Sequence, residues 1–235
     1  MNTLITGTSS GIGNGLAKAY LKQNQQVWGI SRRIPDNIKS EPNYRHLSLD
    51  LVDHQKVKNK VPSFLRGVSQ FDIVILNSGI LGEICLTKDV SHEEMKAVME
   101  INVWANKGLL DLLFEEGIKI KQVIGMSSGA ALRSTPGWGS YSLSKAALDM
   151  LMNVYAKERP ATHFTAFAPG LVDSEIQEYI YNMQDAERYP SAKKLKEARY
   201  TEIMPDADTA APLLIKGFEK SLKYESGLHL DVREL

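Results

Sequence analysis

The first predicted strand runs directly into a glycine-rich turn and then a helix, and this order strongly constrains the fold. Asn2 to Thr6 is a short strand, followed by Gly7-Thr-Ser-Ser-Gly11-Ile-Gly13, and helical spacing of apolar residues begins at Leu16. Glycines let backbone N–H groups approach a pyrophosphate at the positive end of the helix. Ordinary tight turns also use glycine, so the triplet alone is weak. Its position directly after a strand predicts a dinucleotide site.

The end of the second predicted strand indicates which dinucleotide binds. Gln26 to Ile30 has strand character and is followed by Ser31, Arg32 and Arg33, and Arg32 lies 19 positions after Gly13. An acidic residue about 20 positions past the glycine turn would bind the ribose 2′-hydroxyl of NAD, whereas arginine suits the 2′-phosphate of NADP. The alternative is a pair of ordinary surface arginines. We predict NADP(H) as the cofactor.

Strands and helices alternate along the rest of the chain. Further strands are predicted at 44–49, 72–76, 121–127, 163–168 and 227–232, and helices at 53–66, 91–114, 139–157 and 206–222. The strand at 72–76 is apolar without alternation, as expected for a strand buried on both faces. This order predicts an α/β fold, a Rossmann-type doubly wound parallel sheet in three αβα layers, as a single domain over residues 1–235.

Several predicted strands end in residues suited to a ligand, because ligands bind at the carboxyl ends of the strands in such sheets. Asp50, with Leu51, follows the third strand and either contacts the adenine or caps the next helix. Asn77-Ser78-Gly79 follows the fourth strand, and Pro169-Gly170 follows the sixth. The segment from Glu175 to Met204 is predicted to be irregular and to form a lid over the site, with disorder as the alternative.

Composition excludes several classes of function. Lys plus Arg equals Asp plus Glu at 28 each, so no net charge attracts the chain to nucleic acid or to an anionic membrane. Cys85 is the single cysteine and fits a reducing compartment. No apolar run approaches the length of a membrane span, and the five histidines lack metal-ligand spacing. We expect a cytoplasmic protein without a metal site.

Tyr141 and Lys145 are the candidate catalytic pair. They stand four residues apart in a predicted helix, so their side chains share one face. A nearby cation is expected to lower the pKa of the phenol toward the range useful for acid–base catalysis. Ser128 ends a strand-like run and could hydrogen-bond the group that Tyr141 protonates. A second Tyr–Lys pair, Tyr189 and Lys193, has Pro190 after the tyrosine and no preceding strand. By itself, the motif is equally well explained by a half-buried aromatic and a solvated lysine.

Taken together, the motifs resemble the short-chain dehydrogenase/reductase family over essentially the whole chain. They are Thr6-Gly-x-x-x-Gly11-x-Gly13, Asn77-x-Gly79, Asn102, Ser128, Tyr141-x-x-x-Lys145 and Pro169-Gly170. Asn77-Ser78-Gly79 stands where the family usually has Asn-Ala-Gly, and the C-terminus lacks the usual Val-Asp-Gly-Gly. The Asp231-Val-Arg233 ending and Arg32 are similar to the sepiapterin reductase and benzil reductase branch.

The resemblance implies roles for the matched residues. Tyr141 would protonate the carbonyl oxygen as hydride arrives from the nicotinamide, and Ser128 would orient that carbonyl. Lys145 would lower the pKa of Tyr141 and hold the nicotinamide ribose, and Asn102 would hold a water that links Lys145 to solvent. The expected cofactor site comprises Gly7, Ser9, Ser10, Gly11, Ile12, Gly13, Ser31, Arg32, Arg33, Asp50, Leu51, Asn77, Ser78, Gly79, Tyr141, Lys145, Pro169, Gly170, and, at the carboxamide, Val172 and Ser174.

The predicted substrate pocket is apolar and aromatic, which favours an uncharged or weakly polar substrate. Its expected lining is Ala130, Leu132, Trp138, Leu171 and the 175–204 segment. The expected activity is reduction of a small ketone, diketone or pterin-like compound by NADPH. Alternatives are an NADP-linked alcohol dehydrogenase working oxidatively and a regulatory protein that binds NADP without turnover. The two long predicted helices are apolar enough for a homodimer or homotetramer.

Overall fold

Seven parallel strands form one sheet at the centre of the protein. The computed structural model describes residues 1–133 and 135–235. The strands are β1 (Asn2–Thr6), β2 (Gln26–Ser31), β3 (Tyr44–Ser48), β4 (Gln70–Leu76), β5 (Lys119–Met126), β6 (His163–Ala168) and β7 (His229–Asp231). Their order is β3-β2-β1-β4-β5-β6-β7, and all pairs are parallel. The predicted Rossmann-type fold class is therefore confirmed.

Both faces of the sheet are covered by helices, because successive strand residues point to opposite sides. The helices are α1 (Gly11–Lys22), α2 (His54–Phe64), α3 (His92–Met99), α4 (Ala105–Glu115), α5 (Gly139–Glu158), α6 (Glu175–Asn182), α7 (Pro190–Ala198) and α8 (Ala207–Ser221). In β1, Leu4 packs in one buried cluster with α4 and α5, and Ile5 packs in another with α1 and α8. Across the described ranges, no helix combines the length and apolar character needed to cross a bilayer.

The helix predicted from Ser91 to Phe114 is interrupted, so its prediction as one continuous helix is wrong. The Ser91 side chain accepts a hydrogen bond from the backbone N–H of Glu94 (3.1 Å) and begins α3 as expected. Between α3 and α4 lies a π-helical turn, Glu100–Trp104. Such a turn inserts one extra residue into a helix and is common at functional sites. This turn contains Asn102.

Residues 175–204 are mainly helical, and the prediction of an irregular segment is wrong. They contain α6, a short 3-10 turn at Ala186–Arg188, and α7, which has Pro190 as its first residue. Proline is well tolerated there because the first helical N–H has no partner within the helix. The segment has a small core of its own, formed by Leu81, Ile84, Trp138, Ile180, Ala186, Tyr189 and Ala192. We call residues 175–204 the helical cap.

Candidate active site

The glycine turn between β1 and α1 forms one wall of an open cleft at the carboxyl ends of the strands. Gly7 and Gly11 have φ angles of +73° and +54°, which side-chain-bearing residues rarely adopt. A Cβ on Gly13 would lie 2.3 Å from the carbonyl oxygen of Gly7, so the helix can approach the turn this closely only with glycine there. The first turn of α1 carries no acidic residue. Its positive end therefore suits an anion.

A buried polar network that sequence reasoning missed supports this turn. The Thr8 hydroxyl lies 2.9 Å from the Tyr44 hydroxyl and 3.2 Å from that of Ser31. A Cβ on Gly29 would lie 2.2 Å from the Tyr44 oxygen, so the glycine makes room for the phenol. Burial raises the pKa of Tyr44 to about 12, and the hydrogen bond with Thr8 partly opposes that rise. The network fixes the turn against β2 and β3.

The cleft also contains the two arginines that are expected to bind the 2′-phosphate of the cofactor. Arg32 and Arg33 both line the cleft and are exposed, beside Ser31. Arg33 Nη2 lies 3.2 Å from Glu175 Oε1, so an ion pair links this end of the cleft to the helical cap. Asp50 also lines the cleft. The cap of α2 is Asp53 rather than Asp50, since the Asp53 carboxylate accepts from Lys56 N at 3.0 Å.

Asn77, Ser78 and Gly79 form the middle of the cleft. Thr6 Oγ1 accepts from the backbone N–H groups of both Asn77 and Ser78 at 2.9 Å, and the Asn77 amide donates to Thr6 O at 3.0 Å. A Cβ on Gly79 would lie 3.4 Å from Lys145 Nζ and 3.1 Å from an Asn102 side-chain oxygen. A side chain at position 79 would therefore crowd the Asn102 amide oxygen and touch Lys145.

The serine, tyrosine and lysine predicted to act together are brought together by β5 and α5. Ser128 lies near enough to Tyr141 to lower the pKa of its phenol, and its hydroxyl accepts from the backbone N–H of Ala130 at 3.2 Å. Lys145 Nζ lies 5.5 Å from the centre of the Tyr141 ring. Lys145 Nζ donates to the carbonyl oxygen of Met126 at 2.7 Å. Trp138 packs edge-on against Tyr141, with ring centres 6.0 Å apart. Tyr141 and Lys145 both line the same cleft as the glycine turn.

Burial shifts the pKa of both titratable groups of this set. It raises the pKa of Tyr141 to about 12, and Ser128 acts in the opposite direction. It lowers the pKa of Lys145 to about 8, and the charge of Asp149 opposes that change. Burial is therefore the dominant influence on the pKa of Tyr141, and the lowering of that pKa by Lys145 stays a prediction. Tyr141 is therefore protonated at neutral pH.

Asn102 is fully buried inside the protein rather than exposed on a helix surface. Its amide nitrogen donates to Ile80 O and to Ser144 Oγ, both at 2.9 Å, and its amide oxygen accepts from Ile80 N at 2.8 Å. Its backbone carbonyl accepts from the Asn106 side chain at 2.8 Å. Asn102 thus joins the π-helical turn to α5 and to the segment that follows Gly79.

Most predicted cofactor residues line the cleft, and a few lie elsewhere. Those in the lining are Gly7, Ser9, Ser10, Gly11, Ile12, Ser31, Arg32, Arg33, Asp50, Leu51, Asn77, Ser78, Gly79, Tyr141, Lys145, Pro169 and Ser174. Among the described residues, Gly13, Gly170 and Val172 lie outside the lining. Lining residues that were not predicted from the sequence are Leu49, Val52, Ile80, Ile101, Met126 and Ser127, whereas Glu175 and Ile176 belong to the segment expected to line the substrate pocket.

The structure does not bring the four expected pocket residues to this cleft. Within the described part of the chain, its lining excludes Ala130, Leu132, Trp138 and Leu171. Leu132 is 68% exposed, whereas Trp138 is 8% exposed and packs in the core of the helical cap. The second Tyr–Lys pair is likewise separate, since Tyr189 is buried in that core and Lys193 pairs with Glu187 at 2.7 Å.

Comparisons with known proteins agree with this architecture. The sequence model of the short chain dehydrogenase family matches residues 1–185. A benzil reductase ((S)-benzoin forming) of Bacillus subtilis is 25% identical, over 98% of each chain. Among solved structures, a short chain dehydrogenase/reductase of Saccharomyces cerevisiae has a TM-score of 0.86 at 21% identity, over 98% of this chain and 95% of that one. ElxO with NADP bound has a TM-score of 0.79 at 20% identity, over 98% and 96%. The chain therefore belongs to the short chain dehydrogenase family.

Proposed function

We propose that the protein is an NADPH-dependent reductase that transfers a hydride to the carbonyl of a small ketone, diketone or pterin-like compound. The observation that carries this proposal is that a single cleft contains both a first set of residues, the glycine turn with two arginines, and a second set, Tyr141 with Lys145. A protein that only bound a dinucleotide would need the first set of residues. The second set adds a proton donor and a cation.

The glycine turn and the two arginines fit NADP(H). A side chain on Gly7 or Gly13 would collide with Asn77 or with the turn itself, so glycine at both positions allows the compact turn whose N–H groups would bind a pyrophosphate. Arg32 and Arg33 offer guanidinium groups suited to a 2′-phosphate. ElxO, which shares the fold, has been solved with NADP bound. These observations support NADP(H) over NAD(H).

Protein side chains would supply the proton and the orientation. The cofactor, when bound, supplies the hydride. Tyr141, protonated at neutral pH, would donate its phenolic proton to the carbonyl oxygen, and Ser128, which helps to lower the pKa of that phenol, would orient the same oxygen. Lys145 would hold the nicotinamide ribose, and its ammonium would stabilise the phenolate that the proton transfer leaves. In the oxidative direction Tyr141 would act as the base.

The helical cap is proposed to act as a lid that selects the substrate. Ile176 lines the cleft, and the apolar core behind it contains Trp138, which packs against Tyr141. An apolar wall beside the proton donor favours an uncharged or weakly polar substrate. The full-length similarity to a benzil reductase supports an aromatic diketone as the first compound to test.

Two other functions are distinguishable by experiment. An NADP-linked alcohol dehydrogenase would use the same residues in the oxidative direction. A regulatory protein would bind NADP(H) without turnover. The paired Tyr141 and Lys145 favour an enzyme over a regulatory protein, because binding alone does not require a proton donor.

The test is NADPH oxidation with a panel of ketones, 1,2-diketones and pterins, followed by the reverse reaction with the corresponding alcohols and NADP. Tyr141→Phe should abolish turnover while NADPH affinity is retained. Tyr189→Phe is the matched control, since it removes the hydroxyl of the second Tyr–Lys pair, and it should leave turnover intact. NADPH binding without turnover of any compound would favour the regulatory function, and substantial activity of Tyr141→Phe would require another acid.

We also propose a homodimer or homotetramer that forms through α5 and the adjoining π-helical turn in the cytoplasm. Large apolar side chains are exposed there: Trp104 45%, Leu143 53%, Met150 62% and Val154 42%. Contiguous exposed apolar surface of this kind is typical of interfaces. Met150→Glu should reduce the mass measured by light scattering, whereas Leu213→Glu, at an exposed site on α8, should not. The reduced state of Cys85 would support the cytoplasmic location.

A further inference from the structure

A carboxylate that the proposed chemistry does not use lies one helical turn beyond Lys145. Asp149 accepts a hydrogen bond from the hydroxyl of Ser127 at one oxygen and lies 2.7 Å from His229 Nδ1 at the other. The side chains of Asp149 and His229 are each only 14% exposed. Ser127, directly after β5, together with α5 and β7 therefore contributes to one buried cluster that meets the cleft at Ser127.

Such an arrangement needs an explanation, because a buried carboxylate is unfavourable unless it is paired and hydrogen-bonded. Asp149 is i+4 to Lys145, so the two side chains share one face of α5 about 6 Å apart along its axis. The charge of Asp149 raises the pKa of Lys145, against the lowering caused by burial. The carboxylate therefore acts on the lysine that the proposed reaction uses.

The surrounding charges leave Asp149 available for this role. Arg233 pairs with Asp231, the neighbouring carboxylate on β7. His229 also acts on Asp231, whose pKa it helps to lower. An imidazole with a proton on Nδ1 can donate to Asp149 whether its other nitrogen is protonated or not. Asp149 thus acts on Lys145 and contacts His229, while Arg233 is already matched by Asp231.

We propose that Asp149 is a positioning residue that keeps the Lys145 ammonium in its charged form, with Ser127 and His229 holding its carboxylate in place. The importance of Lys145 for the reaction rests on the proposed function. The effect of the Asp149 charge on Lys145 does not. The proposal also separates the two adjacent serines. Ser127 donates a hydrogen bond to the carboxylate of Asp149, whereas Ser128 acts on the phenol of Tyr141.

The direct test is the pKa of Lys145, measured in carbon-13 lysine-labelled protein without substrate or cofactor. Lys145→Arg assigns the side-chain resonance by removing it. Asp149→Asn should lower the pKa of Lys145 by about one unit or more, the shift expected for losing a nearby opposite charge. When substrate is supplied, the alkaline limb of the pH–rate profile should move to lower pH by the same amount. An unchanged Lys145 titration would overturn the proposal.

A matched control is Asp111→Asn. Asp111 accepts a hydrogen bond from the Tyr155 hydroxyl, as Asp149 does from that of Ser127, but Tyr155 lies about 15 Å beyond Lys145 along α5. This control should leave the Lys145 titration unchanged, and an equal shift would overturn the proposal. Asp149→Ser, also neutral, is a second variant if Asp149→Asn fails to fold. If neither variant folds, the unmodified protein decides, because a Lys145 pKa below 7 would contradict a counter-ion that keeps it charged.

The test separates this inference from the proposed function. Failure to reduce any carbonyl compound, together with the expected Lys145 shift, would reject the function and retain the role of Asp149. Turnover together with an unchanged Lys145 pKa would retain the proposed function and reject the role of Asp149.

Discussion

Replacing Gly13 by alanine tests the idea that this glycine exists for the cofactor turn. The added Cβ would lie 2.3 Å from Gly7 O and 2.5 Å from Asn77 Nδ2, well inside the 3.4 Å at which ordinary contact begins. The structure offers a matched control in the same helix. A Cβ on Gly15 would also lie 2.3 Å from a carbonyl oxygen, that of Ala207 at the start of α8.

The two substitutions should have similar effects on stability and different effects on binding. Each gains about 1 kcal/mol of helix propensity and loses about 1–3 kcal/mol through overpacking, so each destabilises the fold by about 0–2 kcal/mol. Only Gly13→Ala displaces Gly7 and Asn77, which line the cleft. Loss of one hydrogen bond to a charged phosphate, about 1.5–3 kcal/mol, weakens NADPH binding by about 10- to 150-fold.

The assay is fluorescence titration with NADPH alongside thermal unfolding of both variants. We expect comparable melting temperatures and a selective loss of affinity in Gly13→Ala. Equal affinities in the two variants, or wild-type affinity in Gly13→Ala, would refute the reasoning.

Three further predictions follow from the site and its cap. Arg32→Glu should weaken NADPH binding and spare NADH in calorimetric titrations; equal loss of both would remove Arg32 from the 2′-phosphate role. Lys145→Met should abolish turnover yet stabilise the protein at pH 7 by about 1–2 kcal/mol in urea unfolding, after loss of the Met126 hydrogen bond. Burial lowers the pKa of Lys145 from 10.5 to about 8, so the stability of the wild-type protein should rise with pH between these two values. The extra stability of Lys145→Met over the wild type should therefore disappear at high pH, and a variant less stable than the wild type at pH 7 would contradict this. Arg199 pairs with Asp173 at 3.0 Å and is only 10% exposed. Arg199 lies in the helical cap, which is proposed to select the substrate, so Arg199→Met should raise KM for the carbonyl compound and leave NADPH affinity unchanged. Lys193→Met, at an exposed ion pair of the same cap, should change neither. A rise in the Kd for NADPH would instead place the effect of Arg199 in the cofactor site.

The parts of the fold that depend on local chemistry were predictable from the sequence. The β1 strand, its glycine turn and α1 occupy adjacent residues, and their pattern alone places an anion site at the helix terminus. The same applies to α5, where a spacing of four puts Tyr141 and Lys145 on one face. Predicted boundaries were off where the strand pattern fades, as at β4, which begins at Gln70.

The remaining features depend on contacts between distant residues. Nothing local to Asn102 shows that its amide meets Ile80 and Ser144, or that the helix must widen there. The helices of the cap were missed because their apolar residues are few and bury against Leu81 and Ile84, about a hundred positions earlier in the chain. The pKa of Tyr141 depends on how much water the folded site excludes, which a spacing rule cannot supply.

The π-helical turn has a consequence for how the chain tolerates change in length. An α-helix rotates by about 100° per residue, so one surplus residue lets α3 and α4 present unrelated faces while remaining nearly collinear. Deleting Val103 would restore regular winding and add a conventional backbone hydrogen bond. It would also turn Asn102 away from Ile80 and Ser144. A more regular helix at this position would therefore remove the link that Asn102 makes between the cleft and α5.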